Sequence, residues 1–526
     1  MTEFAVRSTP SAGGSFAGGS RVRRGWTLFV ACAGVAIVVA SMVALNTALP
    51  DIAEATGASQ TQLTWIVDSY TLFLACLLLP AGAIGDRYGR RTALLVGLAV
   101  FALASFAPLI FGGPVQIIAA RALAGAGAAF VMPATLSLLT VAYPPEARTK
   151  AVGVWAGVAG SGGIFGLLGT GLLLRVWEWQ SIFWTLAGAG LALFLLALTI
   201  AESRDDDAPP LDLPGAVTIG AAVAVFVFGI LQAPERGWTD PRVIGCLVAG
   251  VVLALIFGVI EVRRRHPLLD VRLFRDPDFG TGAATITMVF LGTFALFYLI
   301  TQFIQQVMGY TPLATAIALA PLAVPLLTFS SLSSWYLPKV GLRAVVFASM
   351  VLVSVGFVCM STLTPDSSYL DVLWPLLVIS SGFGLCTAPT TSAIMTAAPD
   401  AKQGVASAVN DATREVGGAL GIAMAGSILA GSYSRVIAPA LAPFPEPVRG
   451  TASDSLAQAL VVAERLGPQG NQLADTSKAA FVDAVNSSYV VMAVIVGVAA
   501  VVIPVFAPGR DGKQLRMIRR LNRRGE

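Results

Sequence analysis

Charge is scarce in this chain. Only 12% of its 526 residues are Asp, Glu, Lys or Arg, while 56% are hydrophobic. A soluble enzyme of this length would show long alternation of polar and apolar residues, and none is found. Histidine occurs once, as His266, which excludes a multi-histidine catalytic or metal centre. The cysteines Cys32, Cys76, Cys246, Cys359 and Cys386 all fall in apolar stretches, without metal-ligand spacing or an extracytoplasmic pair, so they read as small packing residues. No phosphate-binding loop is present, so ATP hydrolysis is not the expected energy source.

Long apolar runs are what the chain has instead. A hydrocarbon core about 30 Å thick is crossed by ~20 apolar helical residues. Inside lipid the backbone must satisfy its own hydrogen bonds, so repeated runs mean a helical bundle. Fourteen runs are read at 26–49, 62–83, 92–111, 115–141, 151–174, 181–201, 213–233, 243–262, 280–303, 313–336, 343–363, 371–397, 404–431 and 486–507. The predicted class is an all-α polytopic membrane protein.

The net charge of +4 does not read as a nucleic-acid footprint, because the basic residues cluster on alternate loops. They are Arg21, Arg23 and Arg24; Arg87, Arg90 and Arg91; Arg148 and Lys150; Arg263 to Arg265, Arg272 and Arg275; Lys339 and Arg343; and the tail from Arg510 to Arg524. That is the positive-inside pattern, and it predicts cytoplasmic termini and an even number of spans. The tail reads as topology retention, with anionic-lipid binding as the alternative. The basic start before the first apolar run mimics a signal peptide. The run is too long for one and ends in Ala48-Leu49-Pro50 without a convincing cleavage site, so it reads as a retained helix. Arginine outnumbers lysine and Ala, Gly and Val abound, which fits a GC-rich bacterial genome.

The runs divide into six, two and six. The expected organisation is a cytoplasmic tail over 1–25, a six-helix half over 26–201, a linker over 202–212 and two extra helices over 213–262, read as a spacer. A cytoplasmic loop over 263–279, a second six-helix half over 280–507 and a basic tail over 508–526 follow. The second half contains an extracytoplasmic stretch at 431–486, where Leu456, Leu460, Val461 and Leu466 mark a helix within a small hairpin. An internal repeat supports this division. Asp86-Arg87-Tyr88-Gly89-Arg90-Arg91 follows the second run, and Pro338-Lys339-Val340-Gly341-Leu342-Arg343 follows the tenth. Duplicated halves are the usual architecture of secondary transporters, with the substrate site between them.

The few polar residues inside the spans are the candidates for function. Gly82, Asp86, Arg87, Gly89, Arg90 and Arg91 form a tight turn in which glycine permits close approach. Asp86 can pair with nearby arginines or cap the next helix, which would hold one conformation closed on the cytoplasmic side. Arg121 lies deep in hydrophobic sequence, where a cation is costly and usually functional. Asp411, Arg414 and Glu415 share one helical face. They face the central cavity, or they sit on a cytoplasmic extension of the helix. Phe290, Phe294, Phe297, Tyr298, Gln302 and Gln305 line a cavity or, for the aromatic stripe, face lipid.

These stretches together resemble the major facilitator superfamily, and within it the fourteen-helix drug:proton antiporter family. The resemblance rests on Gly82–Arg91 with Leu45–Pro50, Trp65–Tyr70, Arg121–Gly127, His266–Phe274, Gln306–Leu313 and Asn410–Gly418. It implies the major facilitator fold, with two six-helix halves plus two central helices. It implies a role in proton coupling for Arg121; Asp411, Arg414 and Glu415 are expected to share it, because Arg414 can neutralise one carboxylate and leave the other to titrate. Asp68 resembles the acid that the quaternary-ammonium branch places in its cation pocket, with a helix-start or interfacial aspartate facing outside water as the alternative; Tyr298 and Gln302, from the ninth run, are the other expected substrate-binding residues. The chain departs from the family at Ser41, where a first-helix aspartate is common. It departs also at Gln180 after Trp179, and at Leu167 and Thr170, which put the fifth-helix kink in doubt. His266 reads as part of a structural loop.

The expected function is proton-coupled export of drugs or other hydrophobic or cationic molecules by alternating access. Export or flipping of an endogenous lipid or secondary metabolite on the same fold is the alternative. The expected partners are a small-molecule substrate, protons and the bilayer, without nucleic acid, cofactor or metal. The chain is expected to be a monomer in the bacterial plasma membrane, and not an enzyme.

Overall fold

Several of the long helices begin where a polar side chain can accept their first free amide protons. Ser59 and Gln62 form a reciprocal capping box, with Gln62 N–H to Ser59 Oγ at 3.3 Å and Ser59 N–H to Gln62 Oε1 at 2.9 Å. Asp212, Asp240, Asp276 and Thr311 cap four other helices, each with proline in the first turn, where a missing N–H costs nothing. Gly89, Gly237 and Gly341 end helices at positive φ, a conformation that glycine adopts freely.

The computed structural model describes residues 21–203, 211–442, 449–450, 452–453, 455–465 and 470–514. Asp205 to Asp207, Pro209, Pro210, Leu466 and the tail beyond Gln514 lie outside the described residues. Fourteen helices among those described are long and apolar enough to cross a membrane. They are α1 (Arg21–Ala44), α2 (Gln60–Tyr88), α3 (Arg90–Phe106), α4 (Pro114–Ala142), α5 (Pro145–Leu173), α6 (Gln180–Ala197) and α7 (Leu213–Arg236). The others are α8 (Pro241–Arg263), α9 (Pro277–Gln302), α10 (Pro312–Ser331), α11 (Leu342–Met360), α12 (Tyr369–Ala397), α13 (Gln403–Leu441) and α14 (Asn471–Phe506).

Several limits differ from the sequence reading. The first span stops at Ala44, and Leu49–Thr56 forms a separate short helix, with proline at its start. About half of the polar stretch 431–486 is taken up by its neighbours, since α13 runs on to Leu441 and α14 begins at Asn471. Between them Leu456–Arg465 is helical and buries Leu456, Ala459 and Ala463, while Val461 is exposed. Alanine supplied the buried stripe, and hydrophobicity alone pointed to the larger residues. α5 is one continuous helix, consistent with the absence of proline inside it.

Two apolar cores hold the bundle. One lies in α1–α6 and the other in α9–α14. The first core extends across the molecule to Phe279, Ala283, Ile286, Ile394, Met395, Ala398 and the start of α13. The second core takes Ile164 from the first half. All the crossing residues of the first core lie at one end of the bundle. Tyr143 O–H donates to Arg24 O at 3.0 Å and Trp26 Nε1–H to Thr199 Oγ1 at 2.7 Å, so the start of α1 lies beside the ends of α4 and α6 at that same end. We call it the terminal end, and the opposite one the distal end.

The extra helices do not act as a spacer in space. α7 packs across the seam where α2 meets α13, and α8 lies outside α7. Val227 and Ile230 of α7 form a small core with Ala75 of α2 and Ala419 and Ala423 of α13. Trp238 Nε1–H, in the turn after α7, donates to Ser427 Oγ on α13 at 2.8 Å.

Glycine sets the closest helix contacts. A Cβ on Gly421 would overlap Leu291 O, and one on Gly417 would overlap Thr287 O, so α9 and α13 touch backbone to backbone. Gly421→Leu is expected to destabilise the second half by about 1–3 kcal/mol through overpacking. A lowered thermal midpoint of purified protein checks this; an unchanged midpoint would contradict the contact.

Candidate functional site

The gate motif lies at the terminal end, and its partner is not the next helix. Asp86 Oδ1 accepts from Arg90 Nε–H at 3.0 Å and Nη2–H at 2.8 Å. The same carboxylate accepts Gly404 N–H at 2.8 Å and Val405 N–H at 3.1 Å. It therefore caps the first turn of α13, a helix of the opposite half, where the helix dipole and free amides favour an anion. Arg90 Nη2–H also donates to Asp400 O at 2.9 Å, and Arg148 stands 3.5 Å from the Asp400 carboxylate. Gly82 lets α2 approach: a Cβ there would lie 2.5 Å from Gly404 O. These contacts close the terminal end between the halves.

The neighbouring motif residues stabilise their own half. Gly89 has φ +113, and the Glu202 carboxylate occupies the space of a Cβ. Glu202 accepts Arg91 N–H at 3.0 Å and Thr92 N–H at 3.2 Å. Arg91 Nη2–H donates to Leu198 O at 2.6 Å, and the Arg87 guanidinium lies 5.4 Å from the Tyr88 ring. The repeat shows the same latch: Arg343 donates to Ala507 O, from Nη2 at 2.8 Å and from Nε at 3.0 Å. Each latch ties the third helix of a half to the end of its sixth. Pro338 stands where the first copy has Asp86, so the second copy makes no cross-half cap.

Deeper in the bundle two arginines are buried, each 2% exposed. Arg121 on α4 donates Nη1–H to Ser41 Oγ at 2.9 Å, Nη2–H to Ser41 O at 3.0 Å and Nε–H to Ile66 O at 3.2 Å. Its guanidinium lies 4.2 Å from the Tyr70 ring centre. Ser41, in place of the family's aspartate, thus keeps the hydrogen bonds and removes the counter-charge. Arg414 on α13 lies between the Trp155 and Phe290 rings, 5.0 Å from each. Its Nη2–H donates to Thr391 Oγ1 at 3.3 Å, and Nη1 stands 4.0 Å from Asp411 Oδ1.

The α13 acids lie inside the bundle, which rules out a hydrated cytoplasmic extension. Asp411 is 0% and Glu415 8% exposed. Asp411 Oδ1 accepts Asn410 Nδ2–H at 3.1 Å, while Asp411 Oδ2, Asn410 Oδ1, Ser407 Oγ and Arg414 Nε have no hydrogen-bond partner. Glu415 lies within electrostatic range of Asp411, Arg414 and Tyr70. Tyr70 thus has Arg121 over its ring and Glu415 within electrostatic range.

The proposed substrate residues are not gathered into this cluster. Asp68 is half-buried on α2, on the stripe of Trp65 and Leu72 that faces α7 and α13, and Trp65 stacks on Phe228 at 5.9 Å. Tyr298 lies against Gly426, about 16 Å further along α13 than Glu415 at 1.5 Å per residue. Gln302 Nε2–H donates to Tyr298 O at 3.2 Å, and Gln305 is exposed. Phe290 is not lipid-facing, since it covers Arg414. At the distal end a cavity of ≈ 490 Å³ separates the halves, lined by Thr47, Asp51, Arg175, Thr311 and Leu313 among others.

The profile of the Major Facilitator Superfamily matches residues 30–422. The chain belongs to the major facilitator superfamily. Its relatives place it in the efflux branch. It is 33% identical over 426 residues to the multidrug resistance protein Stp of Mycobacterium tuberculosis, covering 80% of this chain and 79% of that one. It is 31% identical over 501 residues to the multidrug efflux pump LfrA of Mycolicibacterium smegmatis, covering 92% and 96%. Among solved structures, the human organic anion transporter MFSD10 superposes with a TM-score of 0.58 at 12% identity, covering 90% of this chain and 99% of that one, which shows the shared fold.

In this major facilitator protein, several site residues escaped the sequence reading. Asp400 and Glu202 looked like loop acids. Trp155 was one more large residue in a glycine-rich helix, although it is fully buried and donates Nε1–H to Thr135 Oγ1 at 3.1 Å. Asp86→Asn weakens the one carboxylate that caps α13 among the described residues. Breaking one partner of a buried ion pair costs about 3–5 kcal/mol, so the closed terminal end is expected to lose much of its population. Thiol labelling of Ala401→Cys should accelerate several-fold in that background with substrate affinity unchanged; unaltered labelling would refute the gate.

Proposed function

We propose that this protein is a proton-coupled exporter of hydrophobic or cationic drugs, working by alternating access across the bacterial plasma membrane. The observation that carries the reading is the pair Asp411 and Glu415, buried one turn apart around a single cation, Arg414. A charge held in mid-membrane costs at least ~2.5 kcal/mol on insertion scales. Two acids sharing one arginine leave one carboxylate without full compensation, and a proton removes that cost. Arg414, which both acids share, stabilises the negative form. The acid therefore has two states that the protein can tell apart. The names of the relatives, multidrug resistance protein and multidrug efflux pump, support export of foreign compounds.

The alternation of arginine-rich loops supports cytoplasmic termini, which makes the terminal end the cytoplasmic one. The contacts of Asp86, Arg90 and Arg148 then close the protein toward the cytoplasm. The distal cavity beside Asp51 and Arg175 lies on the release side. Asp68, on the distal half of α2, is a place for a cationic substrate to pair while the α13 acids carry the proton. The proton gradient supplies the energy, and the functional unit is the monomer.

The test is transport in proteoliposomes under an imposed pH gradient, with cationic, neutral and lipidic compounds. Asp411→Asn and Glu415→Gln mimic the protonated acids permanently. Gradient-driven efflux is expected to collapse, while downhill substrate exchange, which needs no proton cycle, survives in at least one of them. Asp68→Asn should weaken export of cations more than of neutral compounds. Full gradient-driven efflux in both α13 variants would remove these acids from coupling.

A further inference from the structure

A second pair of buried acids sits at the terminal end, on the extra helices. Asp212 caps α7, and its Oδ1 accepts Gly215 N–H at 3.1 Å. Glu261 lies in the last turn of α8, and its Oε2 accepts Leu269 N–H at 3.2 Å. The residues are 7% and 2% exposed. Their other oxygens, Asp212 Oδ2 and Glu261 Oε1, accept no hydrogen bond. Both overhang one atom: a Cβ on Gly215 would overlap Glu261 Oε1 and lie 3.1 Å from Asp212 Oδ2.

The charged groups around the pair come from three elements. Arg264, in the loop after α8, places Nε 3.7 Å from Asp212 Oδ2, with its side chain 49% exposed. Asp270 in the same loop is used in accepting Arg272 N–H. Lys402, at the start of α13, is close enough to Glu261 for their charges to interact, yet it donates Nζ–H to Pro267 O at 2.7 Å. Asp400, two residues earlier, faces Arg148. Among the described residues one cation is thus within ion-pair reach of Asp212, and none pairs directly with Glu261. Two bare anionic oxygens would repel across this gap, where a buried acceptor also loses its hydration. A single proton on Glu261 would answer both needs, with the remaining charge, on Asp212, opposite Arg264.

We propose that Glu261 holds a proton beside the Asp212 carboxylate, and that its release opens the gate at the start of α13. When Glu261 gives the proton to water at the terminal face, the pair carries two charges against Arg264 alone. Lys402 then leaves Pro267 O and turns to Glu261. Lys402 is the residue before α13, flanked by Asp400, whose carbonyl holds Arg90, and by Gly404, whose amide holds Asp86. Moving it draws the first turn of α13 off Asp86. Acid keeps the terminal end closed, and alkali opens it. With that end in the cytoplasm, a point that rests on the orientation proposed above, an acidified interior shuts the route by which further protons would enter.

The test is the distance between spin labels at Lys150→Cys and Ala401→Cys, which flank the Arg148–Asp400 contact, in full-length protein in nanodiscs titrated from acid to alkaline pH. The open-to-closed ratio is expected to rise by up to about tenfold per pH unit, the slope of one linked proton. Glu261→Gln, which keeps the donor but cannot ionise, should stay closed throughout. Lys402→Met, which removes the cation that moves, should also lose the slope and serves if Glu261→Gln fails to fold. Glu415→Gln should keep the slope, which separates this proton from the coupling acids. A pH-independent distance in the parent protein, or a normal titration in Glu261→Gln, overturns the proposal. So does a slope that vanishes in Glu415→Gln and survives in Glu261→Gln.

Discussion

A carboxylate that ends one helix bundle also begins a helix of the other. Asp86 belongs to α2 by sequence and to the first turn of α13 by hydrogen bonding. Its charge is met by Arg90 and by the two amides, so neither half can bury it alone. That makes contact between the halves a condition for hiding the charge. When the halves part, the carboxylate, the guanidinium and the amides of α13 must each find water. The apolar cores follow the same logic: they merge at the terminal end, where these polar groups are sealed, and the distal end retains a cavity between the halves.

The charges further inside obey a different rule. Arg121 and Arg414 are held by aromatic rings, hydroxyls and backbone oxygen, with little direct ion pairing. Rings and carbonyls lower the cost of a buried cation without cancelling its charge. The field of each arginine therefore remains available to neighbouring acids. A tight bidentate bridge would have fixed Asp411 in one ionisation state. The 4.0 Å approach is looser than that, as the proposed proton-carrying role requires.

The fold was legible because the membrane imposes one strong signal, the length of an apolar run. The number of spans and the six-two-six grouping follow from it. Helix ends were not legible where helices continue past the hydrocarbon with mixed composition, as α13 and α14 do. The gate was half legible. Asp86 and Arg90 lie in one short motif, but the α13 amides are 318 and 319 residues away and carry no side-chain signature. The buried charges Arg121, Asp411, Arg414 and Glu415 stood out by polarity alone. Tyr70 and Trp155 did not, and Phe290 did only as one of an aromatic stripe, because an aromatic residue that covers a cation reads like any other core residue. Asp212 and Glu261 looked like ordinary helix-end acids, and only folding sets their oxygens over one glycine.

The helix α5 presents glycine on two sides. Gly162 and Gly166 meet α1, while Gly153, Gly157, Gly160 and Gly171 meet α10. Helices with large side chains interlock as ridges in grooves, and a shift of register must lift one row over the next. A nearly bare surface has little corrugation at that scale. Under the alternating access proposed above, sliding or tilting along α5 then meets a shallow barrier, and the time spent in each conformation is decided at the ends of the bundle. The kinetics of such a carrier become a matter of polar chemistry. They respond to ions, protons and single charge changes far more than to the volume of residues along the interface.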